Sequence, residues 1–255
     1  MMGSSLQSAR FERGEKPNNP IVRVMGLEFI NCLGIAAGID RTGCHLPSLS
    51  ALNLGHVEVG TITDPRDLQI PRAGKRPGLI VGVNVASSKC GFSEEVFTDY
   101  RACVAAALHV ADYIVLNFSN DAADRCPQSD GAAVIVARTR LQLNEHRSRT
   151  QLHIPLLAKV HAGTSGEPLP MPRASAAVLD GFVFVGGGIA RIAELRKALP
   201  DHAIVSVGDV LTENDVQARR HAGADLVQIH RVYTDRGAAQ VERMRLALEQ
   251  GFVHD

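Results

Sequence analysis

The sequence predicts an α/β fold, a single (β/α)8 TIM barrel. Three observations carry that reading. Eight short, apolar, β-branched runs recur along the 255 residues, each ending in polar or glycine residues. The runs are continuously apolar, as in parallel strands covered on both faces. Helix-like stretches separate most of them, and eight such units in about 250 residues is the count of a closed barrel.

Taken in order, VRVMGLEFINCLG reads first, as a hairpin of the kind that plugs the N-terminal end of a barrel. The strands follow as LGIAAG (33–38), HVEVGTIT (56–63), LIVGVNVA (79–86) and DYIVLNFS (112–119), then IPLLAKVH (154–161), GFVFVGGG (181–188), AIVSVGD (203–209) and ADLVQIH (224–230). A helix is expected over 93–111, where apolar residues recur at helical spacing behind a serine start. Another spans 189–200 and stops at Pro200, and a third spans 212–224, with Thr212 as N-cap and Gly223 near its end. Two crossovers are short of helix. DPRDLQIPRAGKRPG, between strands two and three, is too short and too rich in Pro, Arg and Gly. AGTSGEPLPMPRASAAVLD, after strand five, has prolines that leave room for about two turns at most. Residues 1–20 read as a mobile N-terminal arm and 21–255 as the barrel domain.

Lys plus Arg and Asp plus Glu both number 27, which points away from nucleic acid or an anionic membrane as partner. No apolar run approaches the length of a membrane span. Cys32, Cys44, Cys90, Cys103 and Cys126 are scattered and odd in number, neither a disulfide framework nor a metal site. A reduced, cytoplasmic protein acting on a small molecule is the expectation.

In such barrels the active site lies at the C-terminal ends of the strands. The polar residues there are Asp40 and Arg41, then Thr61, Thr63 and Asp64, then Asn84, Ser87 and Ser88, then Asn117, Ser119, Asn120 and Asp121. Later strands offer Lys159 and His161, Gly186 to Gly188, Gly208 and Asp209, and His230 and Arg231. Asn84 or Asn117 alone would be read as a cap or a loop tie. Two asparagines at equivalent points of neighbouring strands suggest a ligand. Lys159, flanked by apolar residues, must face the lumen or the mouth and needs a partner there. It suits an anion, a cofactor or a Schiff base, against a structural ion pair. His161, two residues on, shares its side. Arg231 ends the last strand, where barrels often hold phosphate. Asp209 complicates that idea, because a carboxylate there repels phosphate unless Arg231 or a helix N-terminus compensates.

VRVMGLEFINCLGIAAGIDRTG and HVEVGTIT resemble the opening of the dihydroorotate dehydrogenase family, M-G-L-x-F-x-N-P-L-G-L-A-A-G-x-D-K-x-G and then E-x-G-T-V-T. NVASSK, AKV and AGADLVQI continue the similarity in order. The resemblance implies an FMN-binding barrel that oxidises a dihydropyrimidine-like substrate, and a homodimer. Carried over by position, Ala37 and Gly38 would border the flavin, with Thr61 near it. Asn84, Asn117 and Lys159 would hydrogen-bond its ring or ribityl chain. Gly208 and the His230–Arg231 segment would fall at the phosphate. Arg41 would stand where the family has a lysine.

The departures are concentrated in the substrate half. The family's N-x-S-[SC]-P-N motif, with its catalytic Ser or Cys base, is here Asn117-Phe118-Ser119-Asn120-Asp121-Ala122. Asn120 cannot take a proton at ordinary pH. The candidate catalytic groups are therefore Arg41, Ser119, Asn120, Asp121 and His161, with Asp121, Ser119 or His161 replacing the base. The family's N-R-M-G-F-N-N loop has no counterpart, and its T-N-T on strand six is Val185-Gly186-Gly187. Three readings stand side by side. One is a divergent FMN oxidoreductase acting on a small substrate other than dihydroorotate. The second is a non-redox lyase or isomerase using Lys159 and His161. The third is a non-catalytic partner subunit that has lost FMN.

Overall fold

The computed structural model describes residues 21–70, 78–119 and 129–251. The predicted arm, residues 1–20, lies outside them. The hairpin is present as β1 (Val22–Val24) and β2 (Leu27–Phe29), paired antiparallel. Its two turn residues, Met25 and Gly26, have φ of 47° and 77°, matching the twist that tight hairpins need.

All eight predicted barrel strands form. They are β3 (Leu33–Ile35), β4 (His56–Ile62), β5 (Ile80–Val85), β6 (Tyr113–Asn117), β7 (Leu156–His161), β8 (Gly181–Val185), β9 (Ala203–Val207) and β10 (Leu226–Ile229). They pair in parallel in chain order, and β10 closes on β3. Closure leaves no edge strand, and the apolar faces pack against α1 (Leu46–Ser50), α2 (Glu94–Ala107), α3 (Asp130–Thr150), α4 (Arg173–Ala176), α5 (Ile189–Ala198), α6 (Glu213–His221) and α7 (Arg231–Gly251).

The three expected helices are α2, α5 and α6. Ser93 caps α2 by accepting from the Val96 amide, and the helix ends at Ala107, four residues short of the span read from sequence. Thr212 and Asp215 form a reciprocal capping box at α6. Among the described residues, both crossovers expected to be short of helix carry only brief turns. A single 3-10 turn, Pro65–Asp67, follows β4, and the four-residue α4 follows β7. In the first, the Asp64 carboxylate caps the turn and pairs with Arg66, which holds it well below the usual carboxylate range. In the second, the buried Arg191 guanidinium donates to the carbonyls of Ala162, Glu167 and Pro168, tying the loop to α5.

The N-terminal end of the barrel is plugged as expected. Phe29 is fully buried and meets the His56 ring edge-on at 5.7 Å, and His56 meets Tyr113 at 6.5 Å. Each of these last two rings lies across a glycine directly opposite it on the preceding strand. A Cβ on Gly34 would sit 2.3 Å from the His56 ring, and one on Gly82 would sit 2.2 Å from Tyr113. Burial pushes His56 down to about 4, against the opposing pull of the Glu58 charge.

Candidate functional site

The barrel lumen carries a connected polar floor. At its centre is Glu58 on β4, with no solvent exposure. Its Oε1 accepts from Asn84 Nδ2 on β5 at 2.8 Å and from Lys159 Nζ on β7 at 3.4 Å. Its Oε2 accepts from Gln228 Nε2 on β10 at 2.7 Å. The strand alternation that places apolar side chains outward brings these four polar ones into the lumen at similar height. A buried carboxylate demands such partners, because its desolvation is otherwise prohibitive.

The floor continues toward the mouth. Asn117 Nδ2 donates to Asn84 Oδ1 and to Thr61 Oγ1, both at 3.1 Å. Asn117 Oδ1 accepts from the Ser119 amide and hydroxyl, both at 2.9 Å. Behind the strand, the Tyr100 hydroxyl donates to the Asn117 carbonyl at 3.0 Å. His161 Nε2 lies 3.2 Å from the Ser119 carbonyl. Asn117 thus uses both amide hydrogens and both acceptor directions inside the protein, so its tie to the loop after β6 is structural. Lys159 is 8% exposed and keeps donor capacity, as does the half-buried Thr61 hydroxyl, whereas Asn84 is fully buried.

The remaining residues line the rim. Gly38 has φ 104°, and a Cβ there would lie 3.3 Å from His230 Nε2. Gly208 has φ 106°, and its Cβ would lie 3.2 Å from the Gly186 amide. Two loop pairs therefore meet backbone to neighbour where a side chain would intrude. Ala37 is half-buried beside Gly38. Burial, then the Lys159 charge, pull His230 below the ordinary histidine range, with Asp235 opposing.

The structure therefore brings Thr61, Asn84, Asn117, Ser119, Lys159 and His161 into one bonded group, with Gly38 and His230 beside it. Arg41 is exposed on the loop after β3 and is not drawn into that group. The neighbouring Asp40 builds the loop by accepting from the amides of Gly43 and His45. Arg231 is exposed and pairs with Asp235 at 3.6 Å. Asn120 and Asp121 lie outside the described residues. Two residues escaped the sequence reading, Glu58 and Gln228. Their signal was available, since each is a polar residue inside an otherwise apolar strand, the same anomaly that drew attention to Lys159.

The donor set suits one part of a flavin. The Lys159 ammonium and the Thr61 hydroxyl retain donors above a floor fixed by buried amides, as needed to meet ring carbonyls and nitrogens. The end of β9 does not suit a phosphate, since Asp209 is exposed there and stands next to Gly208.

Fold and floor together define a (β/α)8 barrel with a bonded polar cluster in its lumen beneath the C-terminal mouth. The curated proteins it is similar to are dihydroorotate dehydrogenases. The chain is 28% identical to the dihydroorotate dehydrogenase (quinone) of Flavobacterium lutescens over 303 aligned residues, 91% of this chain and 87% of that one. It is 29% identical to that of Stenotrophomonas maltophilia strain K279a, covering 86% and 80%. Among solved structures, ligand-free DHODH from Eimeria tenella superposes with a TM-score of 0.70 at 20% identity, covering 96% of this chain and 91% of that one. The same enzyme in complex with ferulenol also gives 0.70, at 19% identity, with 94% and 86% covered. No family model matches the chain. The resemblance read from the sequence is borne out over about nine-tenths of the length, and so is the fold. Among the described residues no helix is long and apolar enough to cross a membrane.

Proposed function

We propose that the protein is a divergent flavin oxidoreductase of the dihydroorotate dehydrogenase type, acting on a small substrate other than dihydroorotate. The observation that carries it is the floor of Glu58, Asn84, Lys159 and Gln228, which joins four strands through one buried carboxylate and leaves the Lys159 ammonium partly exposed. A bound flavin would supply hydride chemistry. Lys159, Asn84 and Thr61 would hold its ring, Ala37 and Gly38 would border it, and Asn117 would act by fixing Asn84 and Thr61.

The substrate half supports a changed specificity. β8 ends in Val185, Gly186 and Gly187, which offer no side-chain hydrogen-bond donor. Ser119 gives its hydroxyl to Asn117 and is engaged in the loop. A carboxylated, amide-rich substrate would be left with unpaired polar groups, which is heavily penalised. Among the described residues His161, exposed at the rim, is the group placed to take a substrate proton. A Schiff-base role for Lys159 has less support. A nucleophilic lysine needs an apolar or cationic setting, and this one faces a buried carboxylate.

The absorption spectrum of the purified protein, with and without added FMN or riboflavin, tests the reading. A flavin spectrum is expected. Colourless protein that takes up neither flavin overturns it. Dihydroorotate should leave bound flavin oxidised, and the gene should not restore growth without pyrimidines to a strain lacking the enzyme. Rapid bleaching by dihydroorotate would overturn the substrate part.

A further inference from the structure

We propose that the mouth selects a flavin whose side chain ends uncharged, riboflavin over FMN, and that Asp209 is the residue that sets this preference. The inference rests on the flavin reading above and names the ligand class more closely.

Barrels hold phosphate with the loops after strands seven and eight and with a short extra helix. The backbone of that cradle is here. The loop after β9 carries Gly208 and Asp209 with φ of 106° and 50°. After β10 the helical chain starts at Arg231 and breaks at Gly237, where φ is 73°. A non-glycine residue in the left-handed region is uncommon, so Asp209 keeps a glycine-like turn while placing a carboxylate on it.

The charges around the cradle run against an anion. Asp209 is exposed at the turn itself. The amides of Leu211 and Thr212, next along the loop, donate to the Asp215 carboxylate at 3.0 and 2.8 Å. These two amides are thus taken by the chain's own anion. Arg231, the cation at the end of β10, is shared with Asp235. Burial, then the Lys159 charge, hold His230 below the ordinary histidine range, with Asp235 opposing. Arg219 is the cation nearest in effect to Asp209, but it is buried and donates to Ser206 Oγ at 2.6 Å behind the strand. A phosphate dianion entering this corner meets the Asp209 carboxylate at the turn, while Arg231 and Arg219 are already engaged with groups of the chain, whereas a hydroxyl terminus can donate to Asp209.

Equilibrium titration of the full chain with riboflavin and with FMN, followed by quenching of flavin fluorescence, tests this. Wild type should bind riboflavin at least as tightly as FMN. Asp209→Asn keeps a side chain that tolerates the left-handed turn and removes the charge. It should tighten FMN on the order of tenfold or more and leave riboflavin within about twofold. Raising salt should narrow the wild-type difference by screening the repulsion. Wild type that prefers FMN, or an unchanged ratio in Asp209→Asn, overturns the selectivity while leaving the flavin reading intact. No binding of either flavin by both proteins overturns the two together. Asp209→Gly, which relieves the turn as well as the charge, serves if Asp209→Asn fails to fold.

Discussion

Removing the carboxylate at the centre of the floor should cost stability mainly through the lysine it leaves behind. Glu58→Gln keeps the shape of the side chain. Its remaining oxygen can still accept from Asn84 Nδ2, now at 2.8 Å. The contact to Gln228 is recoverable too. Gln228 Oε1 is buried without a hydrogen-bond partner, so a flip of that amide would let it accept from the new Nε2. What cannot be recovered is the charge facing Lys159 Nζ at 3.4 Å. Two unit charges at that distance attract by about 5 kcal/mol at an effective dielectric of ~20, before desolvation is subtracted. Breaking a buried pair on one side costs roughly 3–5 kcal/mol. Lys159 retains some exposure at the mouth, which places the expectation near the lower end, about 3 kcal/mol. Urea denaturation at neutral pH should show that loss for Glu58→Gln. Lys159→Met on the Glu58→Gln background should restore about 2 kcal/mol of it, since no unpaired charge then remains. Additivity of the two substitutions within about 0.5 kcal/mol would refute the reasoning, because it would mean the pair is not coupled.

Three further outcomes are expected. His56 is buried and titrates near 4 instead of near 6.5, so the native state resists its protonation. Its contribution to stability is complete above about pH 6.5 and is lost as pH falls toward 4, by about 3 kcal/mol in all. In a pH series of thermal melts, His56→Leu should flatten that limb, and an unchanged slope would count against the assignment. Thr212→Ala removes one half of the capping box of α6 and should cost about 1 kcal/mol in urea, with no change in the m-value. Cys103 is buried and its thiol is pushed up to about 12, while Cys44 is exposed. Mass-mapped alkylation of the native protein should label Cys44 and spare Cys103 until denaturant is added, and early labelling of Cys103 would show that α2 opens locally.

The barrel was legible because its strands are short apolar runs with abrupt polar ends, a pattern that survives without any knowledge of pairing. The helix α3 was not. Its buried stripe runs through Ala132, Ile135, Val136, Thr139, Leu143 and His146, so two of its core positions are polar residues that break the apolar period. The helix α7 was obscured by Gly237, which interrupts it. At the site, Lys159 was legible as a lumen-facing cation needing a partner, and the partner is Glu58. The role of Asn117 was not legible, since its saturation depends on bonds to Thr61, Asn84 and Ser119 that only the closed barrel brings together.

The two ring-over-glycine pairs at the plugged end index the alignment of the strands. His56 sits opposite Gly34, and Tyr113 opposite Gly82. Slipping β6 by one residue along β5 would turn the Tyr113 ring out of the lumen. Slipping it by two would drive the ring into Ile80 or Asn84, which have side chains where Gly82 has none. The same holds for His56, whose alternatives beside Gly34 are Cys32 and Ala36. The rings therefore work like teeth in matching notches. They hold the shear of the barrel from below, and with it the heights at which Glu58, Asn84 and Asn117 arrive on their separate strands. A substitution as small as Gly82→Ala, far from the mouth, should misalign the floor as well as crowd the plug.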